Sequence, residues 1–335
     1  MGAASAATGA CLEHPSRASA LPQGKFLRIG LPHARYVTSR KLFSARRGHR
    51  VTARGAQRLS YAVVPHWNPR HVNDLLSAIL LGIVEGITEF LPISSTGHLL
   101  IAERWLGARS DLFNVAIQAG AILAVTFIYW RTLWSFAINW RRPETRDYLA
   151  KLSVAFLITA VLGLVVAKLG FKLPETVTPI AWALIAGGIW MMVAEKVAEK
   201  RPERAAITWK VAILVGLAQI VAGIFPGTSR SAATIFIAML AGTNNRAAAT
   251  EFAFLVGIPT MYAATGYELL KTFTHGGAAG EDWSGLGIAF VVSTVVAFVA
   301  VKWLLSYIRS HRFTAFAVYR IVLGIALLLL LPAGG

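Results

Sequence analysis

A series of apolar segments, each near the length of a membrane span, is the feature that most constrains this chain. A helix needs about 20 mostly apolar residues to cross the ~30 Å hydrocarbon core of a bilayer. Six segments meet or approach that length: 112–134, 149–169, 177–194, 249–270, 285–305 and 313–331. Charged residues make up only 15% of the chain, against about 25% in soluble domains. The sequence therefore predicts an all-α polytopic membrane protein with about six transmembrane helices and excludes an ordinary soluble enzyme.

Two further apolar stretches, 74–107 and 208–241, are interrupted near the middle. The interruptions read Leu-Pro-Ile-Ser-Ser-Thr-Gly at 91–97 and Phe-Pro-Gly-Thr-Ser-Arg-Ser at 225–231. Pro and Gly break a helix, and hydroxyl groups can bond the backbone groups that the break leaves free. Because each stretch is too long for one span and its halves are short for two, we interpret both as re-entrant helical hairpins.

The two broken stretches resemble each other at an offset of 134 residues. The offset pairs Gly82 with Gly216, Glu85 with Gln219, Pro92 with Pro226, Ser94 with Thr228 and Ser95 with Ser229. After one inserted residue, Gly107 pairs with Gly242. Three predicted spans lie between the copies, so the second copy enters from the opposite face. The sequence thus predicts an inverted-topology repeat, with a binding site near the midplane where the interrupted segments meet.

The first 72 residues have a different composition from the rest of the chain. They carry twelve of the 33 Lys and Arg residues and a single acid, Glu13, and so hold +11 of the net charge of +17. This composition, rich in Ala, Arg and Ser, predicts an organelle transit peptide for a plastid or, alternatively, a mitochondrion, followed by a membrane-embedded domain over 73–335. A disordered basic tail is the other interpretation. We expect no nucleic-acid partner, because the body offers no soluble basic fold.

Ionisable residues inside apolar stretches are costly and therefore mark candidate functional positions. Glu85 and Glu89 lie four residues apart, which on a helix places them on one face with about 6 Å between their Cβ atoms. Two carboxylates that close repel each other unless they share a proton or a cation. Their oxygens suit a divalent cation such as Mg²⁺ or Ca²⁺. The alternative is a single protonated Glu bonded to a backbone carbonyl.

Three residues are catalytic candidates: Glu89 of the acidic pair, and Ser95 and His98, which follow it. His98 can act as a general acid or base near neutral pH, or it can be a hydrogen-bonded packing residue. Ser95 can be a nucleophile if His98 or a carboxylate takes its proton, and its alternative role is to cap a helix.

The second broken stretch predicts a phosphate-binding loop around Arg230. Ser229 and Ser231 flank this arginine, Thr234 follows one turn later, and Gly227 precedes it. Arginine presents a planar fork to phosphate oxygens, glycine permits close backbone approach, and a helix N-terminus attracts anions. The alternative is an Arg that neutralises a buried Glu. Together the two stretches suit hydrolysis of a phosphate ester or anhydride whose other end stays in lipid.

At these residues the sequence resembles a known family. Residues 85–98, Glu-Gly-Ile-Thr-Glu-Phe-Leu-Pro-Ile-Ser-Ser-Thr-Gly-His, resemble the first signature of the undecaprenyl-diphosphate phosphatases, the bacitracin-resistance family. Residues 226–234, Pro-Gly-Thr-Ser-Arg-Ser-Ala-Ala-Thr, resemble the second. The resemblance covers about residues 73–332. It implies an integral membrane hydrolase that converts undecaprenyl diphosphate to the monophosphate, with inverted repeats, divalent-cation dependence and a homodimeric state.

The resemblance also implies roles for individual residues. Glu85 and Glu89 match the acidic pair, Ser95 the proposed nucleophile and His98 the proposed acid or base. Arg230 matches the phosphate-binding arginine. The residues that match the lining of its loop are Ser229, Ser231 and Thr234.

The chain departs from the family pattern in two residues and in its leader. Thr228 stands where the family often has an aromatic residue, and Ala232 stands where it often has Gly. The bacterial members of the family lack the leader. In a plastid the substrate can be another polyprenyl diphosphate. The competing hypothesis is a transporter or flippase of a lipid phosphate, since transporters also combine inverted repeats with broken helices.

Overall fold

The computed structural model describes residues 69–170, 176–274 and 280–331, and the regular elements in these ranges are all α-helices. The helices are α1 (Pro69–Thr88), α2 (Ser95–Leu106), α3 (Asp111–Ile128), α4 (Trp130–Ile138), α5 (Pro143–Lys168), α6 (Val177–Glu199), α7 (Trp209–Ile224), α8 (Arg230–Ala241), α9 (Arg246–Thr274), α10 (Trp283–Tyr307) and α11 (Thr314–Leu330). The predicted transit peptide lies outside the described residues, except that α1 begins at Pro69, four residues before the predicted boundary.

Within the described ranges, five helices are long and apolar enough to cross a membrane: α3, α5, α6, α9 and α10. They coincide with five of the six predicted spans, and α11, with 17 residues, is the sixth. At 1.5 Å per residue α11 is about 26 Å long, which is short for a span. Large apolar side chains such as Leu157, Val161, Val295 and Val299 are more than half exposed. Such broad apolar surfaces are stable against lipid and not against water, and the prediction of an all-α polytopic membrane protein is confirmed.

The predicted span 112–134 is wrong in its bounds, because the chain bends within it. Helix α3 ends at Ile128, and α4 starts at Trp130 after a single non-helical residue, Tyr129. The Tyr129 side chain is buried in the core, whereas Trp130 and Trp134 are exposed and stack with ring centroids 5.9 Å apart. Exposed tryptophans are typical of a membrane–water interface, and hydropathy alone does not distinguish such a segment from the span it follows.

The predicted repeat is present in the packing as well as in the sequence. Helix α1 packs on α10 in the way that α7 packs on α5. A Cβ atom at Gly82 would lie 2.6 Å from the Ala289 carbonyl oxygen, and one at Gly216 would lie 2.7 Å from the Ala155 carbonyl oxygen. Ala155 and Ala289 are themselves 134 residues apart. The glycines permit the same close helix contact in both copies, so α1–α3, α5 and α6 correspond to α7–α11.

The two broken stretches form the helix pairs α1–α2 and α7–α8, whose second helices start in the same way. Ser94 and Ser229 have φ angles of 77° and 69°, and their side chains accept hydrogen bonds from the N–H groups of Gly97 and Ala232. The structure therefore aligns Ser94 with Ser229, and the predicted pairing of Ser95 with Ser229 is wrong by one residue. The inserted residue lies inside the break and not after it. Re-entry of the two pairs from one membrane face stays a prediction.

The two breaks meet in the interior of the protein. Phe90, Leu91 and Ile93 from the first break belong to the same buried apolar cluster as Ala232 and Ile235 of α8. The packing thus brings the candidate residues of the two copies together.

Candidate active site

One carboxylate, that of Glu89, joins the two broken stretches. Glu89 directly follows α1, and its N–H donates to the Glu85 carbonyl at 2.9 Å. Its Oε2 accepts a hydrogen bond of 2.6 Å from Ser95 Oγ, and its Oε1 accepts one of 2.7 Å from Arg230 Nη2. Ser95 and Arg230 are the first residues of α2 and α8, the two equivalent helices. The repeat thus places two helix N-termini, each with its partial positive charge, at a single acidic group.

The ion pair between Arg230 and Glu89 is partly accessible. The Glu89 side chain is 4% exposed and that of Arg230 is 29% exposed. The predicted neutralisation of a buried Glu by Arg230 is therefore present. A phosphate that enters the site can exchange with the carboxylate, because the guanidinium fork binds both groups in the same geometry. Arg230 as a phosphate ligand stays a prediction.

Glu85 is fully buried beside the Glu89 carboxyl group, and no donor group of the described residues bonds either of its side-chain oxygens. A carboxylate in such surroundings needs a proton or a cation. No group of three or more His, Cys, Asp or Glu residues lies close enough to hold a metal in the part of the chain that the structure describes. Mg²⁺ is commonly held by one or two carboxylates together with substrate phosphates and water. Glu85 and Glu89 fit that mode of binding, and the cation stays a prediction.

The hydroxyl groups of the second loop mainly hold its shape. Ser231 Oγ donates to the Leu91 carbonyl in the first break at 3.1 Å and lies 3.1 Å from Ser229 Oγ. Thr234 Oγ1 donates to the carbonyl of Arg230 at 2.8 Å. Gly227 has a φ angle of 90°, and a Cβ atom there would lie 2.9 Å from the carbonyl oxygen of residue 180. These contacts fix the start of α8 against the first break.

His98 points away from Ser95. Its Nδ1 donates to the Ser94 carbonyl at 2.7 Å, and its Nε2 lies 2.7 Å from the Tyr319 hydroxyl, which donates to it when the ring is neutral. No hydrogen bond joins His98 to Ser95 within the described ranges, and the Ser95 hydroxyl is bonded to Glu89 instead. The geometry brings Glu89, Ser95 and Arg230 into contact. His98 is not bonded to these three side chains in the described structure and instead supports the backbone at Ser94.

A cavity of about 20 Å³ lies beside the Glu89–Arg230 pair. That volume suffices for one water molecule and not for a diphosphate. Its lining residues come from both broken stretches and from α9: Glu89, Phe90, Gln219, Arg230, Ser231, Thr234, Ala253, Phe254, Gly257 and Met261.

Arg320 on α11 is a residue of the site region that the sequence interpretation missed. Its side chain is fully buried, and its Nη1 and Nη2 donate to the carbonyls of Thr228 and Gly227 at 3.0 Å each. Nη1 also donates to the Pro92 carbonyl at 3.3 Å. One guanidinium thus bonds both breaks. The sequence signal that could have identified Arg320 is its isolated charge within an apolar span, because such a charge is costly unless it has partners.

Known proteins resemble this chain over most of its length. A protein from Rhizobium etli strain CFN 42, named undecaprenyl-diphosphatase, is 74% identical to this chain over 255 residues, which cover 76% of this chain and 96% of that protein. A protein of the same name from Xanthomonas oryzae pv. oryzae strain PXO99A is 64% identical over 262 residues, covering 78% of this chain and 99% of that protein. The family described as bacitracin resistance protein BacA matches residues 78–326, which include both broken stretches. The chain belongs to the bacitracin resistance protein BacA family.

Proposed function

We propose that this chain is an integral membrane phosphatase that hydrolyses a polyprenyl diphosphate, such as undecaprenyl diphosphate, to the lipid monophosphate and inorganic phosphate. The contact of Glu89 with both Ser95 and Arg230 carries the proposal, because it unites a proton acceptor, a hydroxyl nucleophile and a phosphate-binding cation at one buried point. The names of the relatives support the same activity. Nothing in the described part of the chain favours the transporter or flippase alternative.

The proposed reaction starts when Arg230 exchanges Glu89 for the terminal phosphate and neutralises its charge. Ser95 Oγ then forms a bond to phosphorus while its proton passes to Glu89, and the bond between phosphorus and the lipid monophosphate oxygen breaks. Water subsequently releases phosphate from Ser95. Direct attack by water, with Glu89 or His98 as the base, is the variant of this course. A divalent cation held by Glu85 and Glu89 would supply further positive charge to the diphosphate oxygens.

Release of inorganic phosphate from undecaprenyl diphosphate by the purified full chain in detergent tests the proposal. We expect turnover that EDTA abolishes and that excess Mg²⁺ or Ca²⁺ restores. Ser95→Ala should remove turnover, whereas Ser135→Ala, an exposed hydroxyl bonded only to a local carbonyl, should retain it. The absence of phosphate release from the folded protein, together with movement of the labelled lipid across vesicles, would establish the transporter instead.

A plastid or mitochondrial location and a homodimer are further parts of the proposal. The location rests on the composition of residues 1–72 alone, since the relatives compared above are bacterial and give it no support. Import of the full chain by isolated chloroplasts or mitochondria, with shortening of the chain, is the expected result. Failure of both organelles to import it would contradict the organelle location without affecting the activity.

A further inference from the structure

Gln219 on α7 carries a buried oxygen without a protein partner. The side chain is 4% exposed, and Oε1 has no hydrogen bond among the residues that the structure describes. Gln219 lines the cavity that also contains Glu89 and Arg230. A buried polar atom without a partner in a native structure is uncommon and points to a bound water or ligand.

The orientation of the Gln219 amide is fixed from its other end. Its Nε2 donates to Thr159 Oγ1 at 3.0 Å. The Thr159 hydroxyl proton is directed to the carbonyls of Ala155 and Gly216, both at 3.0 Å, so Thr159 Oγ1 can only accept from Gln219. The group bonded to Thr159 is therefore the amide NH₂, and Oε1 is the free atom.

The repeat supports a role for this position in the site. Gln219 corresponds to Glu85 at the offset of 134 residues, and both side chains carry buried oxygens that no donor group of the described residues bonds. Thr159 likewise corresponds to Ser293, whose hydroxyl bonds a neighbouring backbone carbonyl at 2.8 Å. The two copies thus direct a pair of equivalent oxygens inward, one acidic and one neutral.

We propose that Gln219 positions the water consumed in the hydrolysis, with Oε1 as the acceptor of one of its hydrogens. The cavity of about 20 Å³ has room for a single water, and a water needs two to four polar partners of the kind that Gln219 and Glu89 provide. The water oxygen forms a bond to phosphorus as the bond from phosphorus to its leaving oxygen breaks. One water proton passes to Glu89 while the proton that Glu89 took from Ser95 returns to Ser95 Oγ, the leaving oxygen, which keeps the electron pair of its bond to phosphorus. This inference rests on the proposed phosphatase activity.

The test compares Gln219→Met with the wild-type chain in water–methanol mixtures, using undecaprenyl diphosphate as substrate. Methionine keeps the volume of the side chain and removes the strong acceptor. We expect kcat to fall about tenfold, the worth of one lost hydrogen bond to the reacting water, with KM unchanged within about twofold. The share of methyl phosphate in the product should rise toward the mole fraction of methanol, because water no longer has a site that excludes the larger alcohol.

Two further variants separate positioning from folding. Gln219→Glu keeps an acceptor at this place and should retain the wild-type share of methyl phosphate. Thr159→Val lies outside the cavity lining and only frees the amide to turn, so it should raise that share by less than Gln219→Met does. A wild-type share of methyl phosphate in Gln219→Met would overturn the inference. Absence of phosphate release from the wild-type chain would instead reject the phosphatase proposal.

Discussion

Replacement of Arg320 by methionine removes a side chain of α11 that bonds both broken stretches at once. Its guanidinium donates to five backbone carbonyls at 3.0 to 3.5 Å, those of Pro92, Ala183, Leu184, Gly227 and Thr228. Methionine is unbranched, shorter than arginine and without a donor, so these carbonyls lose their partner in a buried place. We expect the variant to be less stable and to lose activity, because the ends of both breaks then move relative to Ser95 and Arg230.

The size of the effect follows from the number and length of the bonds. A hydrogen bond with a charged partner contributes about 1.5–3 kcal/mol, so the two shortest bonds alone correspond to about 3–6 kcal/mol. Relief of the buried charge offsets part of that loss, and we expect a net decrease of about 3 kcal/mol in the free energy of unfolding. Arg320→Lys keeps the charge but has only three donors for five carbonyls, so we expect about half that decrease.

Chemical unfolding of the detergent-solubilised full chain, combined with phosphate release, measures both effects. Arg312→Met is the matched control, since the Arg312 side chain is 64% exposed and pairs at 2.7 Å with Glu199. Exposed pairs contribute less than about 1 kcal/mol, so the control should retain stability and turnover. If Arg320→Met differs from wild type no more than Arg312→Met does, the role assigned to the buried guanidinium is wrong.

Three other substitutions test neighbouring parts of the structure. Gly187→Ala would place a Cβ atom against the buried guanidinium of Arg320 and should lower the free energy of unfolding by about 1–3 kcal/mol. Gly266→Ala, in open space on α9, is the control and should be neutral or stabilising. Glu195→Gln weakens the bonds that Arg246, the Phe313 N–H and the Thr314 hydroxyl donate to a buried carboxylate, so the midpoint of unfolding should fall while turnover per folded molecule is retained. Lost turnover at wild-type stability would contradict this role. Tyr319→Phe removes one hydrogen bond from His98 and should lower turnover about threefold in the phosphate assay. A loss of turnover as large as that of Ser95→Ala would contradict the supporting role of His98 and indicate a reacting group.

The sequence predicts the parts of the site that consist of ionisable residues in apolar surroundings. Glu85, Glu89 and Arg230 stand out because charges are rare at such depth, and Pro and Gly locate the breaks. The same rule applies to Arg320, but its partners are backbone carbonyls from several segments that only folding brings together. Gln219 carries no charge, so only its correspondence with Glu85 and its unpartnered oxygen in the folded structure mark it.

Local backbone geometry decides two points that residue spacing leaves open. The insertion between the repeats lies inside the break, as the positive φ angles of Ser94 and Ser229 reveal, and Ser95 is therefore equivalent to Arg230. His98 follows Ser95 by three residues on α2, a spacing compatible with a direct bond. The side chain nevertheless turns to Tyr319, a residue 221 positions away, and the proton of Ser95 is directed to Glu89.

The most direct test of the account is the rate of phosphate release from undecaprenyl diphosphate by Glu89→Gln. This substitution preserves the shape of the side chain and removes the charge that joins Ser95 to Arg230. Glu103→Gln is the control, because Glu103 lies on α2 and accepts a hydrogen bond of 2.9 Å from Asn114, outside the site. We expect Glu89→Gln to lower kcat by at least about 100-fold and Glu103→Gln to stay within about threefold of wild type. Equal and near-wild-type turnover in both variants would contradict this expectation.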